Sequence, residues 1–327
     1  MAFVFRRTVW CLAVFALAAF ALRQSFAQDY PNRPIRLIVS SPAGSVSDVR
    51  ARWVAERLNT AFAKPIVVDN RGGAGGNIGA ELAAKSPKDG YTLVVVHQGT
   101  LALNPHMYKR VGYDPIADFA PITRFVVSPL MLAVHPAMPA KTAGELIELV
   151  RKNPGQYNYG SPGSGTPPHL AAELFKRMAK IEVTHVPYKG GAAALTDLAG
   201  GRLTYTIESL ALQAPHAKAG RIRALGVTSA KRVATLPEIP TIAESGLPRY
   251  EYMSWMGLAA PAGTPREIVA RINAVMVKIL KTGEAREWFA EQGGEPVGDT
   301  PEEFAAFVKR EHAYWGPIIR DAGIRAD

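Results

Sequence analysis

Short apolar runs alternate along the chain with segments in which apolar residues recur at helical spacing. Residues 35–40, 65–69 and 92–96 are predicted strands, and amphipathic helical patterns lie between them, the first carrying Trp53, Val54 and Leu58 on one face. Strands that alternate with helices predict a largely parallel sheet flanked by helices, which is an α/β fold.

The alternation continues in the middle of the chain, where a second α/β unit is predicted. Its strands are residues 130–134, 157–159, 183–186, 203–207 and 222–227, and its helices are residues 142–152, 170–178, 192–198 and 210–219. Beyond Trp255 the pattern becomes helical, with helices predicted at residues 265–280, 284–291 and 301–319. Thr264 before Pro265, and Thr300 with Glu303 three residues later, are helix start signals.

The helical tail suggests how the chain is divided. Helices without strands of their own must pack on a sheet formed elsewhere, and we expect these to return to the first unit. The predicted lobes are residues 28–125 plus 253–327 (lobe 1) and residues 126–252 (lobe 2). Two chain crossings between them would form a hinge and a cleft.

The N-terminus predicts a cleaved signal peptide over residues 1–27. Arg6 and Arg7 precede a 14-residue apolar run, and Ser25 and Ala27 supply small residues before the cut. A membrane anchor is the alternative, but the run is shorter than the roughly 20 residues that span a bilayer. We therefore expect an exported protein. The sole cysteine, Cys11, lies in this segment, so the mature protein would contain neither a thiol nor a disulfide.

Composition and charge exclude several classes of protein and ligand. The chain has 327 residues, 48% hydrophobic and 20% charged, which excludes a disordered, collagenous or coiled-coil protein. Residues 28–327 hold 35 Lys and Arg against 28 Asp and Glu, a balance of +7. No run of five or more Lys and Arg occurs, so nucleic acid is not expected as a partner, whereas a small anionic ligand fits.

Two loops that follow predicted strands are the candidate binding site. Both are rich in small hydroxyls and glycines and lead into helix N-termini, whose free N–H groups suit an anion. The alternative is a pair of ordinary capped turns. The candidate residues are Ser41, Gly44, Ser45, Val46, Ser47 and Asp48 in the first loop, and Ser161, Gly163, Ser164, Gly165, Thr166 and His169 in the second.

The chain lacks the usual catalytic and cofactor motifs. The loop GGAGGNIG misses the GxGxxG spacing and no GK dipeptide occurs, so these glycines are interpreted as a tight turn with close helix packing. There is no GxSxG elbow and no HExxH, and neither a cofactor nor a metal is expected. His169 could be a pocket residue or a hydrogen-bonded structural histidine, and the same choice holds for His97 at the end of a strand.

Several longer segments carry a family resemblance that runs along nearly all of the mature chain. They are PNRPIRLIV, SPAGSVSDVRAR, VVDNRGGAGGNIGAELAAKSPKDGYTL, GYDPIADFAPIT, NPGQYNYGSPGSGTPPHLAAELF, HVPYKGGAAALTDLAGG, KAGRIRALGVTS, LPEIPTIAESG and GLAAPAGTP. Together they resemble the solute-binding receptors of tripartite tricarboxylate transporters, the TctC-like or Bug receptors.

This resemblance implies a two-lobed periplasmic-binding-protein fold, or Venus flytrap, with a mixed, mostly parallel sheet in each lobe. It implies a receptor, expected to be a monomer, that closes on a small carboxylate and delivers it to membrane permease subunits. The two loops then hold the carboxylate, and the neighbouring pocket positions are His97, Gly99, Thr100, Tyr188, Lys189, Gly190, Glu208 and Ser209. Similar proteins usually have an aromatic residue at Ser41 and a small one at His97, which leaves the ligand open.

Two other functions remain to be compared with this one. A secreted α/β enzyme could use His169 and Glu208 as acid and base in the cleft. A sensory receptor that presents its ligand to a membrane kinase would share the fold and the binding step. Glu208 itself could face the ligand, or point away and cap the helix near Leu210.

Overall fold

A computed structural model describes residues 30–326, and the predicted signal peptide lies outside the described residues. The described part of the chain holds nine strands. They are β1 (Ile35–Val39), β2 (Ile66–Asn70), β3 (Thr92–His97), β4 (Phe119–Val134), β5 (Asn158–Ser161), β6 (Thr184–Pro187), β7 (Tyr205–Ser209), β8 (Arg223–Val227) and β9 (Met253–Pro261).

Ten α-helices surround these strands within residues 30–326. They are α1 (Val46–Phe62), α2 (Asn77–Ala84), α3 (Asn104–Met107), α4 (Ala143–Lys152), α5 (Pro167–Ala179), α6 (Gly191–Ala199), α7 (Leu210–Lys218), α8 (Arg266–Leu280), α9 (Gly283–Glu291) and α10 (Pro301–Asp321). A short 3₁₀ turn, Ala74–Gly76, precedes α2, and a π turn, Gly99–Leu103, precedes α3.

The strands form one mixed sheet in the order β2-β1-β3-β9-β4-β7-β5-β6, with β8 also paired to β4. The pairs β1–β2, β1–β3, β5–β6 and β5–β7 are parallel. All pairings of β4 and β9 are antiparallel. The predicted α/β class with a mixed sheet and flanking helices is confirmed.

Strand β4 joins the two halves of the sheet. Its first part, from Phe119 to Pro129, pairs with β9, whereas Leu130 to Val134 pairs with β7 and β8. The sequence predicted only residues 130–134 as a strand. The earlier part was missed because Pro121 and Arg124 break the apolar alternation, and register shifts occur at both places.

Strand β9 corrects a second prediction, since the chain beyond Trp255 is not purely helical. The segment MSWMGLAAP of β9 is rich in small residues with weak strand preference, yet it lies between β3 and β4 in the middle of the sheet. Thr264 does not cap α8 either: its hydroxyl donates to Pro261 O, and Pro265 holds the N-cap position. By contrast, the capping box of Thr300 and Glu303 at α10 is confirmed.

Helix α8 packs against the first strands. Ile268 and Ile272 lie in one hydrophobic cluster with Ile35 and Leu37 of β1. This is the packing expected of the helical tail, and the lobe boundaries themselves stay a prediction. Among residues 30–326, no helix has the length and hydrophobicity needed to cross a membrane.

Candidate functional site

A cavity of about 350 Å³ lies where the loops after β1, β2, β3 and β5 meet strand β9. These loops follow the carboxyl ends of parallel strands, which is where open α/β sheets bind ligands. Seven of the predicted site residues line it: Ser41, Ser47, His97, Gly99, Ser164, Gly165 and Thr166. Sequence reasoning missed its other lining residues: Ser40, Pro42, Gly73, Gly75, Gly76, Gln98, Asn104, Tyr108, Pro167, Ser254, Trp255 and Met256.

The first loop is folded around a buried carboxylate. Asp48 accepts hydrogen bonds from Gly44 N at 2.8 Å and from Asn70 Nδ2 at 2.9 Å, and it pairs with Arg52 at 3.0 Å. Burial raises the pKa of Asp48, but these bonds outweigh it and hold the pKa below its usual value. Asp48 therefore organises the loop and is not itself one of the lining residues.

Helix α1 begins where this loop meets the cavity. Ser45 is its N-cap and accepts from Asp48 N at 3.2 Å. Its first-turn amides, at Val46 and Ser47, have no carbonyl partner inside the helix and remain available as donors. Of the predicted residues here, only Ser41 and Ser47 line the cavity, while Gly44, Ser45 and Val46 shape the turn.

The second loop offers fewer amides than its sequence suggested. Helix α5 begins at Pro167, and Pro168 follows, so neither of its first two residues has an N–H. Thr166 donates its hydroxyl to Gly163 O at 2.8 Å. The exposed residue Ser164 at the loop tip therefore becomes the main donor on this side of the cavity.

The glycine-rich loop after β2 also lines the cavity, through Gly73, Gly75 and Gly76. A side chain at Gly76 is excluded by space, because a Cβ there would lie 2.9 Å from His97 Nε2 and 3.0 Å from Ser40 O. The sequence predicted a tight turn with close packing. That packing is present, but the pattern gave no signal that the turn also borders a binding cavity.

His97 brings a neutral imidazole to the cavity. Burial lowers the pKa of His97 to about 4, so the ring is uncharged near neutral pH. Its Nδ1 accepts from the backbone N–H of Thr100 at 3.4 Å, and this bond assigns the ring proton to Nε2. The Nε2–H group is then a neutral donor. Thr100 is buried, and its hydroxyl donates back to His97 O, so it supports the ring without lining the cavity.

Two stacked histidines support the second loop from behind. The rings of His169 and His185 lie 4.0 Å apart at an angle of 14°. His169 Nδ1 accepts from Gly165 N at 3.0 Å, and His185 Nε2 lies 2.7 Å from Ser161 Oγ, which in turn bonds to Gly163. Burial, with smaller contributions from His185 and Lys176, lowers the pKa of His169 to about 3.

The remaining predicted residues lie outside the cavity lining. Tyr188 donates to Asp197 at 2.8 Å and Lys189 is exposed, while Gly190 is the N-cap of α6. Glu208 is buried, and burial raises its pKa to about 7. Its Oε1 accepts from the backbone N–H of Ser209 at 2.7 Å, at the start of α7. Glu208 is thus outside the lining of this cavity, and its Oε2 has no hydrogen-bond partner among the described residues.

The cavity is lined by hydrogen-bonding groups that carry no formal charge. Within residues 30–326 its lining includes no Lys, Arg, Asp or Glu, and no cluster there could hold a metal ion. Its polar groups are hydroxyls, amides and one neutral imidazole. Such donors stabilise a carboxylate through charge-assisted hydrogen bonds without a counter-ion.

Comparisons with known proteins agree with this geometry. The model of the tripartite tricarboxylate transporter family receptor, TctC, matches residues 50–324. The structure described as R. palustris Rpa4515 with adipate is 40% identical, with a TM-score of 0.82, and the match covers 91% of this chain and 99% of that one.

Two further structures match over almost their whole length. The periplasmic binding protein BugD is 32% identical, with a TM-score of 0.77 and coverage of 90% of this chain and 99% of its own. MatC from Rhodopseudomonas palustris with bound malate is 28% identical, with a TM-score of 0.76 and coverage of 89% and 100%. The resemblance found in the sequence is confirmed, and the chain belongs to the TctC family of tripartite tricarboxylate transporter receptors.

Proposed function

We propose that this protein is a non-enzymatic periplasmic receptor that captures a small carboxylate in the cavity and delivers it to the permease subunits of a tripartite tricarboxylate transporter. Monocarboxylates, dicarboxylates, tricarboxylates, acidic amino acids and aromatic acids are all candidate ligands. The neighbours described with adipate and with malate support a carboxylate.

One observation carries the proposal: hydroxyls from two different loops, Ser47 and Ser164, line one cavity together with the neutral His97 ring. Converging neutral donors in a partly enclosed space are suited to an anion, because each bond to a carboxylate contributes about 1.5–3 kcal/mol. A ligand held by both loops would also join the two proposed lobes, residues 28–125 plus 253–327 and residues 126–252. Binding would then favour closure of a hinge.

The alternative of an enzyme with His169 and Glu208 as acid and base has less support. Neither residue lines the cavity, and each carries out a local task, His169 at Gly165 and Glu208 at Ser209. The hydrogen-bonded pair of Ser161 and His185 could suggest a nucleophile and its base. Ser161 is 1% exposed and is outside the cavity lining, which counts against attack on a bound ligand.

A thermal-shift screen tests the proposal most simply. Mature protein would be heated with mono-, di- and tricarboxylates, amino acids and aromatic acids, each at several concentrations. A ligand that binds only the folded state raises the Tm in proportion to the logarithm of its concentration once it exceeds Kd. A rise with one carboxylate class, absent with its uncharged amides, is expected. Failure of every carboxylate, or turnover of a ligand during incubation, would contradict the proposal.

A further inference from the structure

A carboxylate belonging to the protein lies directly behind one part of the cavity lining. Glu311 on α10 is not a lining residue, but its Oε2 accepts from Gln98 Nε2 at 2.9 Å and from Trp255 Nε1 at 3.1 Å. Gln98 and Trp255 both line the cavity. The negative group is therefore one hydrogen bond away from the space a ligand would occupy.

The partners of Glu311 are neutral donors. Its third hydrogen bond comes from Trp315 Nε1 at 3.3 Å, and no Lys or Arg pairs with it within the described range, residues 30–326. Because Gln98 and Trp255 have no full charge of their own, the net charge of the half-buried Glu311 has no counter-ion among these partners. The field therefore extends into the neighbouring part of the cavity.

The same contacts remove donors from that part of the lining. Gln98 gives one of its two side-chain N–H groups to Glu311, and its Oε1 accepts from Tyr252 Oη at 2.6 Å, so its amide is held in place from both ends. Trp255 has its single N–H turned to Glu311, and Phe304 and Phe307 pack edge-on against its ring. A second ligand carboxylate placed here would lie beside two residues, Gln98 and Trp255, whose side-chain N–H groups already donate to Glu311, with the negative charge of Glu311 behind them.

We propose that Glu311 is a specificity-determining residue that disfavours a second negative charge on the ligand. The preferred ligand is then a monocarboxylate whose uncharged tail lies on the Gln98 and Trp255 side of the cavity, in preference to a di- or tricarboxylate of the same length. This inference rests on the proposed function, because it concerns the same cavity. Within the proposed class of small carboxylates, the charge and hydrogen bonds around the lining favour those with a single negative charge.

Three linear acids of equal length separate the charge effect from size. Hexanoate, 6-aminohexanoate and adipate share one carboxylate and differ at the far end, which is neutral, positive or negative. Calorimetry on the mature wild-type protein should give hexanoate a Kd at least about tenfold lower than that of adipate. Malate and citrate, which carry two and three carboxylates, extend the series.

Glu311→Gln tests the assigned residue. The amide oxygen of Gln can accept the same three hydrogen bonds, so the fold should be retained while the charge is removed. In this variant we expect the affinity for adipate, relative to that for hexanoate, to rise about fivefold or more. The relative affinity for 6-aminohexanoate should fall, and the Kd of hexanoate itself should change by less than about twofold. Glu287 on α9 is exposed, and Glu287→Gln makes the same charge change away from the cavity. This control should leave the relative affinities for the three acids as in the wild type.

The outcomes distinguish failure of the specificity proposal from failure of the proposed receptor function. If adipate binds the wild type as tightly as hexanoate, or if Glu311→Gln weakens all three acids equally, the specificity proposal is wrong while a carboxylate receptor stands. If no carboxylate binds, the proposed function fails and this inference fails with it. Should Glu311→Gln not fold, the wild-type ratio of hexanoate to adipate still decides the proposal.

Discussion

The imidazole Nδ1 of His169 accepts a hydrogen bond from the backbone N–H of Gly165 at 3.0 Å, and this bond ties the second cavity loop to the helix that follows it. His169 is 4% exposed and stacks on His185, so it lies behind the loop and does not line the cavity. Of the two roles open to it from the sequence, the hydrogen-bonded structural one matches this placement.

Removing that acceptor should loosen the loop. His169→Phe keeps a ring against His185 but leaves the buried Gly165 N–H unpaired, which costs about 1–3 kcal/mol of unfolding free energy. We expect a lower Tm and weaker carboxylate binding. His169→Asn retains an acceptor near the amide and should recover part of both. Unchanged binding in His169→Phe would show that loop order does not depend on this bond.

The cavity hydroxyls should contribute directly to affinity. Ser47→Ala and Ser164→Ala each remove one donor from the lining, and loss of one charge-assisted hydrogen bond should raise Kd roughly tenfold. Lys189→Ala is the matched comparison, because Lys189 is exposed and outside the lining. The Kd of this variant for the carboxylate should stay within about twofold of the wild-type value. Calorimetry decides between the two sets. A large loss in Lys189→Ala alone would indicate that an ion pair holds the anion.

Carboxylate affinity should be nearly independent of pH between about 6 and 8.5. The lining within residues 30–326 has no charged side chain, and burial keeps the pKa of His97 at about 4, so its ring stays neutral over this range. His97→Ala, which removes the Nε2–H donor, should weaken binding roughly tenfold at every pH tested. Steadily tighter wild-type binding from pH 8 down to pH 6, absent in His97→Ala, would mean that His97 takes up a proton with the ligand.

Glu208 should make stability depend on pH. Burial raises its pKa to about 7 from an ordinary value of 4.5, so the folded state favours the protonated acid. The resulting stabilisation is complete below pH 4.5 and is lost as pH rises through 7, amounting to about 3 kcal/mol at most. Relative to the wild type, Glu208→Gln should therefore become more stable as pH rises from 5 to 8, measured by urea unfolding.

The control for that experiment is Glu182→Gln, which makes the same change at an exposed position in the same half of the chain. Its stability difference from the wild type should be the same at pH 5 and pH 8. A Glu208→Gln difference that is equally flat would show that the carboxyl of Glu208 is solvated in the folded state.

Local sequence signals were sufficient for much of the fold. The strand from residue 35 and the helix that follows it lie as expected, and Thr300 and Glu303 form the predicted capping box. These features depend on neighbours within a few residues. Strand β9 was missed because its position between β3 and β4 depends on residues more than 100 positions away, which single-sequence periodicity does not report.

The candidate site was predicted in part for the same reason. Loops after parallel strands converge, so Ser41, Ser47, Ser164 and Thr166 line the cavity as expected. Side-chain direction is set by packing instead, and this turned Glu208 towards Ser209 and away from the lining. Trp255 lines the cavity because β9 passes beside β3, and no local motif indicates that position.

The central claim is that neutral donors from two loops bind a carboxylate, and calorimetry of one matched ligand pair tests it most directly. The best carboxylate from the thermal-shift screen and its uncharged amide would be titrated into the wild type and into Ser47→Ala/Ser164→Ala. We predict that the wild type binds the acid at least roughly tenfold more tightly than the amide, and that the double variant loses most of this preference. Equal binding of acid and amide by the wild type, or full retention of acid binding by the double variant, would contradict the account.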